Sequence, residues 1–187
     1  EGGGAGAGAG AGAGMAGDGH EHVYDSLVLP PYAKDWLAQG ATPREEMLPW
    51  YVPTGPSDDT LVFESRFESG NLRGAVKIGP SEYNLTLAFD INTDRHTQWF
   101  YFSMSNGRPG RRYKLNIQNL MKSDSVYNSG MQPLLYSENL AREEGVGWHR
   151  AGEEVVYFKN AVLRGKNRPF YTLSFCFQFP QGSAGGD

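Results

Sequence analysis

Tyr171, Leu173, Phe175, Phe177 and Phe179 alternate with Thr172, Ser174, Cys176 and Gln178 in the last long apolar stretch of the chain. A period of two sends successive side chains to opposite faces of an extended backbone. It is incompatible with an amphipathic helix, whose apolar positions recur every three to four residues. The same alternation sets Leu61, Phe63 and Ser65 against Val62, Glu64 and Arg66. It sets Leu85, Leu87 and Phe89 against Asn84, Thr86 and Ala88, and Tyr113, Leu115 and Ile117 against Lys114, Asn116 and Gln118. Turn chemistry separates these runs: Ser69-Gly70-Asn71, Gly79-Pro80-Ser81, Asn106-Gly107-Arg108-Pro109-Gly110 and Gly165-Lys166-Asn167-Arg168-Pro169. Trp99-Phe100-Tyr101-Phe102 is apolar on both faces, which predicts a central strand covered on both sides. Only Ser137–Glu144 has the composition of a helix, of at most two turns. The fold expected is all-β, an antiparallel β-sandwich.

The chain has 187 residues, but residues 1–19 hold ten Gly and six Ala and offer almost no side chain to bury. They are expected to be a disordered tail, because nothing offsets their ordering entropy. Residues 20–60 read as an irregular, Pro-rich approach segment, interrupted by Pro30, Pro31, Pro43, Pro49, Pro53 and Pro56. Its aromatic islands, Asp35-Trp36-Leu37 and Pro49-Trp50-Tyr51, are expected to pack on the domain and cap its core. Residues 61–180 form the domain proper, and 181–187 a short tail. Aromatic residues make up 13% of the chain, enough for a sizeable core.

The net charge is −4, and Glu1, Asp18 and Asp187 in the tails account for three of the acids. The near-neutral body gives no global electrostatic case for nucleic acid or an anionic membrane as partner. No run of 18 apolar residues is present, nor a basic segment leading into an apolar one, so neither a membrane helix nor a secretory signal is expected. A single cysteine, Cys176, excludes an intramolecular disulfide and fits a reducing compartment; it reads as a small packed thiol. Asn84-Leu85-Thr86 matches a glycosylation sequon but falls inside a predicted strand.

Few residues argue for chemistry. His20-Glu21-His22 could share a metal at i and i+2, but has no third ligand nearby. Asp90, Asn92 and Asp94 mimic the start of a calcium loop. The glycine at the sixth place and the closing glutamate are missing, so a hydrogen-bonded loop is expected. Ser123, Ser125 and Ser129 lie near Asp124 without a histidine placed to activate them. Arg108, Arg111, Arg112 and Lys114 form a basic cluster, read as a solvated edge or as a surface for an acidic peptide.

Several phrases carry a resemblance: FESRFESGNL at 63–72, DINTDRHTQWFYF at 90–102, NGRPG at 106–110, KSDSVYNSGMQPLLYSE at 122–138, EGVGWHR at 144–150 and YTLSFCFQFP at 171–180. In this order they resemble the N-terminal domain of the cytosolic carboxypeptidases, cytoplasmic zinc enzymes that trim glutamates from polyglutamylated tubulin. The resemblance implies a β domain that precedes a peptidase domain and docks against it in cis. In that family the zinc is held in the peptidase domain by a His-x-x-Glu pair and a distant His. None of His20, His22, His96 and His149 has a Glu three residues on. The chain is therefore expected to stop before the peptidase domain, to hold no catalytic, cofactor or metal residues of its own, and to be inactive alone. Glutamylated tubulin tails are a further implied partner; nucleic acid and membrane are not. A free-standing binding module that has lost the enzyme is the alternative. Three loops mix large apolar residues with turn chemistry: Asn92–Trp99, Met131–Leu134 and Gly145–Trp148. Asn92, Arg95, His96, Trp99, Met131, Gln132 and Trp148 are the expected contributors to a domain or partner interface.

Overall fold

A computed structural model describes residues 20–30, 33, 38, 49–93, 96–164 and 169–181. The expected Gly/Ala tail, the Asp35-Trp36-Leu37 island and most of the turn at 165–169 lie outside the described residues. The chain forms β1 Glu21–Asp25, β2 Val62–Glu64, β3 Leu72–Gly79, β4 Glu82–Leu87, β5 Ser103–Ser105 and β6 Arg112–Leu120. It continues with β7 Leu134–Leu135, helix α1 Glu138–Glu144, β8 His149–Arg150, β9 Glu153–Arg164 and β10 Pro169–Gln178. A 3-10 turn at Val126–Ser129 precedes β7. The fold is all-β, as the alternation implies.

Six strands form one sheet in the order β1-β3-β4-β6-β10-β9. Neighbours run antiparallel except β4 and β6, which pair in parallel from Glu82↔Lys114 to Leu85↔Ile117. Parallel neighbours need a crossover. Between them the chain passes through β5, which pairs with β2 as a two-stranded ribbon. That ribbon is the second layer. Phe63 of β2 meets Tyr83 at 5.3 Å and Phe102 at 6.1 Å, and the Leu61 N–H donates to the Tyr83 hydroxyl at 2.9 Å. Between the layers Tyr83, Leu85, Leu87, Tyr113, Leu115, Ile117, Leu173, Phe175 and Phe177 are buried, each on the face its alternation predicts. Phe89 lies beyond the end of β4 and is exposed.

Among the described residues of the approach segment, one stretch is regular. Residues 21–25 are an edge strand, in register from Glu21↔Lys77 to Asp25↔Gly74. A bulge between His22 and Tyr24 turns both Val23 and Tyr24 inward, where both are fully buried. The bulge abolishes the alternation by which the strand could be recognised. Trp50 and Tyr51 are buried in the core cluster.

The segment 99–102 is not a central strand. It joins neither face of the sheet ladder, and its rings divide: Phe100 and Phe102 pack on the core, whereas Trp99 and Tyr101 are exposed. Large rings on both sides of an extended segment suit a buried strand, but Trp and Tyr also tolerate water at one end. The helix expected at 137–144 is present, with Ser137 accepting from the Leu140 N–H and Gly145 in the left-handed region at φ 69°.

Candidate interaction surface

The Ser69-Gly70-Asn71 turn positions the exposed rings. A Cβ at Gly70 would lie 2.1 Å from the Ser65 carbonyl oxygen, so only glycine lets the turn close over Ser65. Ser65 is itself buried. Its hydroxyl donates to the Leu72 carbonyl at 2.8 Å and bonds the Tyr24 hydroxyl at 2.9 Å. Asn71 then substitutes for a strand. Its side-chain N–H donates to the Trp99 carbonyl at 2.9 Å, and its side-chain oxygen accepts from the Tyr101 N–H at 2.8 Å. The Asn71 backbone N–H donates to the Tyr101 carbonyl at 3.0 Å. These bonds fix 99–101 in an extended form, which sends Trp99 and Tyr101 outward and Phe100 toward Phe175, 6.4 Å away.

A second device brings more rings alongside. β7 and β8 pair antiparallel, Leu134 opposite Arg150 and Leu135 opposite His149. The next positions in that register are Tyr136 and Trp148, and their rings meet at 5.4 Å. Helix α1 fills the connection between them. Trp148 also meets Tyr101 at 6.1 Å, and Tyr101 meets Phe67 edge-on at 5.3 Å. The result is a continuous aromatic row, Phe67–Tyr101–Trp148–Tyr136, with Trp99 and Leu134 exposed as well. Trp148 is 56% exposed and no ring of the row is less than 39% exposed. Contiguous exposed rings of this composition mark interaction surfaces rather than ordinary solvated surface.

Of the residues predicted for an interface, Trp148 lies within the row and Trp99 in the segment that Asn71 holds. Met131 and Gln132 lie outside the row and tie neighbouring segments together. The Met131 N–H donates to the Val126 carbonyl at 3.2 Å, and the Gln132 side chain donates to the Gly152 carbonyl at 2.7 Å. Arg150 donates to the Gln132 carbonyl at 2.7 Å. Asn92 and His96 belong to a loop closed on itself: the Asp90 N–H donates to the His96 carbonyl at 2.9 Å, and the Thr93 hydroxyl donates to the Asp90 carbonyl at 2.8 Å. Asn92 adopts φ 62° there. Arg95 and Asp94 lie outside the described residues. Phe67, Tyr101 and Tyr136 also join the row; no local sequence signal marks them, and Tyr101 sits in a run that reads as apolar on both faces.

The reverse face of the six-stranded sheet is built otherwise. It carries a shallow depression of about 650 Å³ beneath β9, where polar residues of β4, β6 and β10 that bond one another lie beside Val156, Phe158 and Val162 of β9, all exposed. Asn116 donates to Glu82 at 2.9 Å and to Asn84 at 3.1 Å, and accepts from the Ser174 hydroxyl at 2.7 Å. Asn160 donates to Thr172 at 2.9 Å. Partial burial raises the Glu82 carboxyl, but hydrogen bonds from Asn116 and Lys114 outweigh it and hold the group below the usual carboxylate range. Cys176 is buried on this face, where burial pushes its thiol up.

Three of the four bases of the basic cluster pair with acids within the domain, and the fourth, Arg108, bonds a backbone carbonyl. Arg111 bonds Asp59 and lies 5.8 Å from the Tyr113 ring; Arg112 pairs with Glu154 at 3.0 Å; Lys114 pairs with Glu82 at 3.0 Å; and Arg108 donates to the Pro56 carbonyl. Among the described residues no three or more His, Cys, Asp and Glu groups come together to hold a metal ion. No helix of the described residues is long and apolar enough to cross a membrane.

A family model described as the cytosolic carboxypeptidase N-terminal domain matches residues 63–174. Cytosolic carboxypeptidase 2 of Homo sapiens is 51% identical over 126 residues, 67% of this chain and 14% of that protein. Cytosolic carboxypeptidase 2 of Mus musculus is 52% identical over 126 residues, again 67% of this chain and 14% of its own length. Cytosolic carboxypeptidase 3 of Bos taurus is 45% identical over 132 residues, 71% of this chain and 13% of its own. The matched segment thus spans only a small part of these curated relatives.

Proposed function

Since this chain belongs to the cytosolic carboxypeptidase family through its N-terminal domain, we propose that it is a non-catalytic domain that docks against a carboxypeptidase domain in cis and helps to shape its substrate groove. The observation that carries this reading is the aromatic row. In the relatives most of the polypeptide lies outside the matched segment, so a large neighbour accompanies this domain there. Interfaces between domains within a chain bury on the order of 600–1,500 Å². Rings of Trp and Tyr are the residue types that dominate such contacts. The parent enzyme would remove glutamates from polyglutamylated tubulin and other proteins in the cytoplasm. Its zinc would sit in the carboxypeptidase domain and supply an activated water there. This chain's own residues contribute position: Asn71 fixes Trp99 and Tyr101, and the β7–β8 ribbon fixes Tyr136 and Trp148.

The test is association. The chain alone is expected to bind a hydrophobic dye or to self-associate, through contiguous exposed apolar surface. Adding a separately produced carboxypeptidase domain from a relative should suppress both. A monomeric, dye-negative chain with no affinity for that domain would favour a free-standing binding module.

A further inference from the structure

We propose that the aromatic row receives a cationic side chain, an arginine or lysine carried on a basic segment of the carboxypeptidase domain; this rests on the docking role assigned above. Acids flank the row at both ends. Glu68 follows Phe67 in the chain and is exposed. Helix α1, which joins Tyr136 to Trp148, carries Glu138, Glu143 and Glu144 against a single base, Arg142, and all four are exposed. The bases nearby are engaged within the domain: Arg66 with Glu64, Arg142 with Glu143 at 3.2 Å, and Arg150 with the Gln132 carbonyl at 2.7 Å. The faces of the rings are themselves negative, and an indole is the strongest of the natural cation receptors. Trp148 is the most exposed ring of the row and lies between Tyr101 and Tyr136.

The domain seats one of its own arginines by the same chemistry. Arg111 lies over the Tyr113 ring while its guanidinium bonds the Asp59 carboxylate. In the row, Glu68 and Glu138 lie within two residues in sequence of Phe67 and Tyr136. An acidic glutamylated tail would instead meet like charge from Glu68 and α1, so the row is not where such a tail binds.

The full chain, labelled with nitrogen-15, can be titrated with a short arginine-rich peptide, its lysine counterpart and a glutamate-rich peptide. The Trp148 indole N–H is identified by Trp148→Phe. The arginine peptide is expected to shift that resonance most, the lysine peptide less, and the glutamate peptide not at all. Trp148→Leu should weaken arginine-peptide binding by about tenfold. The double change Glu138→Gln, Glu144→Gln should weaken it several-fold and flatten its salt dependence. The same variants are then measured against a separately produced carboxypeptidase domain. If that domain binds through the row but neither salt nor the acid-to-amide change alters affinity, docking stands and the cationic contact is overturned. If the peptides shift Trp148 and the domain does not bind, the docking role and the occupant named here both fall. A shift caused by the glutamate peptide would also overturn the proposal.

Discussion

On the reverse face of the six-stranded sheet, Asn116, Ser174, Glu82 and Asn84 donate to and accept from one another. Along the aromatic row, Phe67, Tyr101, Trp148 and Tyr136 meet ring to ring in sequence and still leave much of each ring in water. Both surfaces are open, yet they need different things. The hydrogen-bonded part of the reverse face is satisfied as it stands and costs free energy to strip, since each buried bond must be replaced; Val156, Phe158 and Val162 of β9, exposed beside it, are the apolar remainder of that face. An exposed ring surface gains about 25 cal/mol for every Å² of apolar area that a partner covers. Openness alone therefore does not mark an interaction site; the state of the side chains does.

The largest effect that bears on this contrast is expected at Asn71. It is a buried amide with two side-chain hydrogen bonds to the 99–101 backbone. Asn71→Leu leaves those backbone groups without partners and should cost about 3 kcal/mol by denaturant unfolding. It should also release 99–101 to faster amide exchange. Asn116→Ala on the reverse face should cost about 2 kcal/mol by the same mechanism. It should leave dye binding unchanged. Trp148→Ala is the converse: less than about 1 kcal/mol of stability, because the ring is exposed, but a marked loss of dye binding and of affinity for a carboxypeptidase domain.

Acid sensitivity belongs to the wired regions and not to the row. Partial burial raises the Asp58 carboxyl, but the Thr54 and Thr60 N–H groups and the Tyr51 hydroxyl donate to it and hold it well below the usual carboxylate range. Burial and the bond to Asp58 push the Tyr51 phenol up to about 12. A carboxylate whose folded value is depressed contributes stability that is fully present above its unfolded value of 3.8. That contribution is lost as the pH falls through the lower folded value. Glu82 acts in the same sense. Asp58→Asn should therefore lower stability near neutrality and flatten its decline on acidification, which a series of unfolding curves between about pH 2 and 6 would reveal. The smallest effect is expected at Arg112, whose exposed pairing with Glu153 and Glu154 should be undetectable when Arg112→Ala is compared with the parent at moderate salt.

The sheet was legible wherever apolar and polar residues alternate along the strand, as in β4, β6 and β10. Three strands escaped for physical reasons. β1 is bulged, so Val23 and Tyr24 are both buried. β3 shifts register near both ends, between Leu72 and Gly74 and between Lys77 and Gly79. β9 is apolar on both faces, with Val155 and Tyr157 packed on the core while Val156 and Phe158 are exposed. The parallel β4–β6 pair left no local mark, because strand direction depends on the path of residues 88–111 and not on their composition. Trp148 and Trp99 were recognisable as loop anchors. Phe67, Tyr101 and Tyr136 were not, because the row exists only after three separate segments converge. The reverse-face network was illegible for the same reason: Asn84, Asn116 and Ser174 read as solvated alternates until pairing places them side by side.

The most direct measurement is amide exchange of the full chain with and without a separately produced carboxypeptidase domain. Docking through the row predicts new protection around Phe67, residues 99–101, 134–136 and 148–150, with none at 82–86, 114–118 or 153–160. Protection confined to the reverse face, with the row unchanged, would contradict the account.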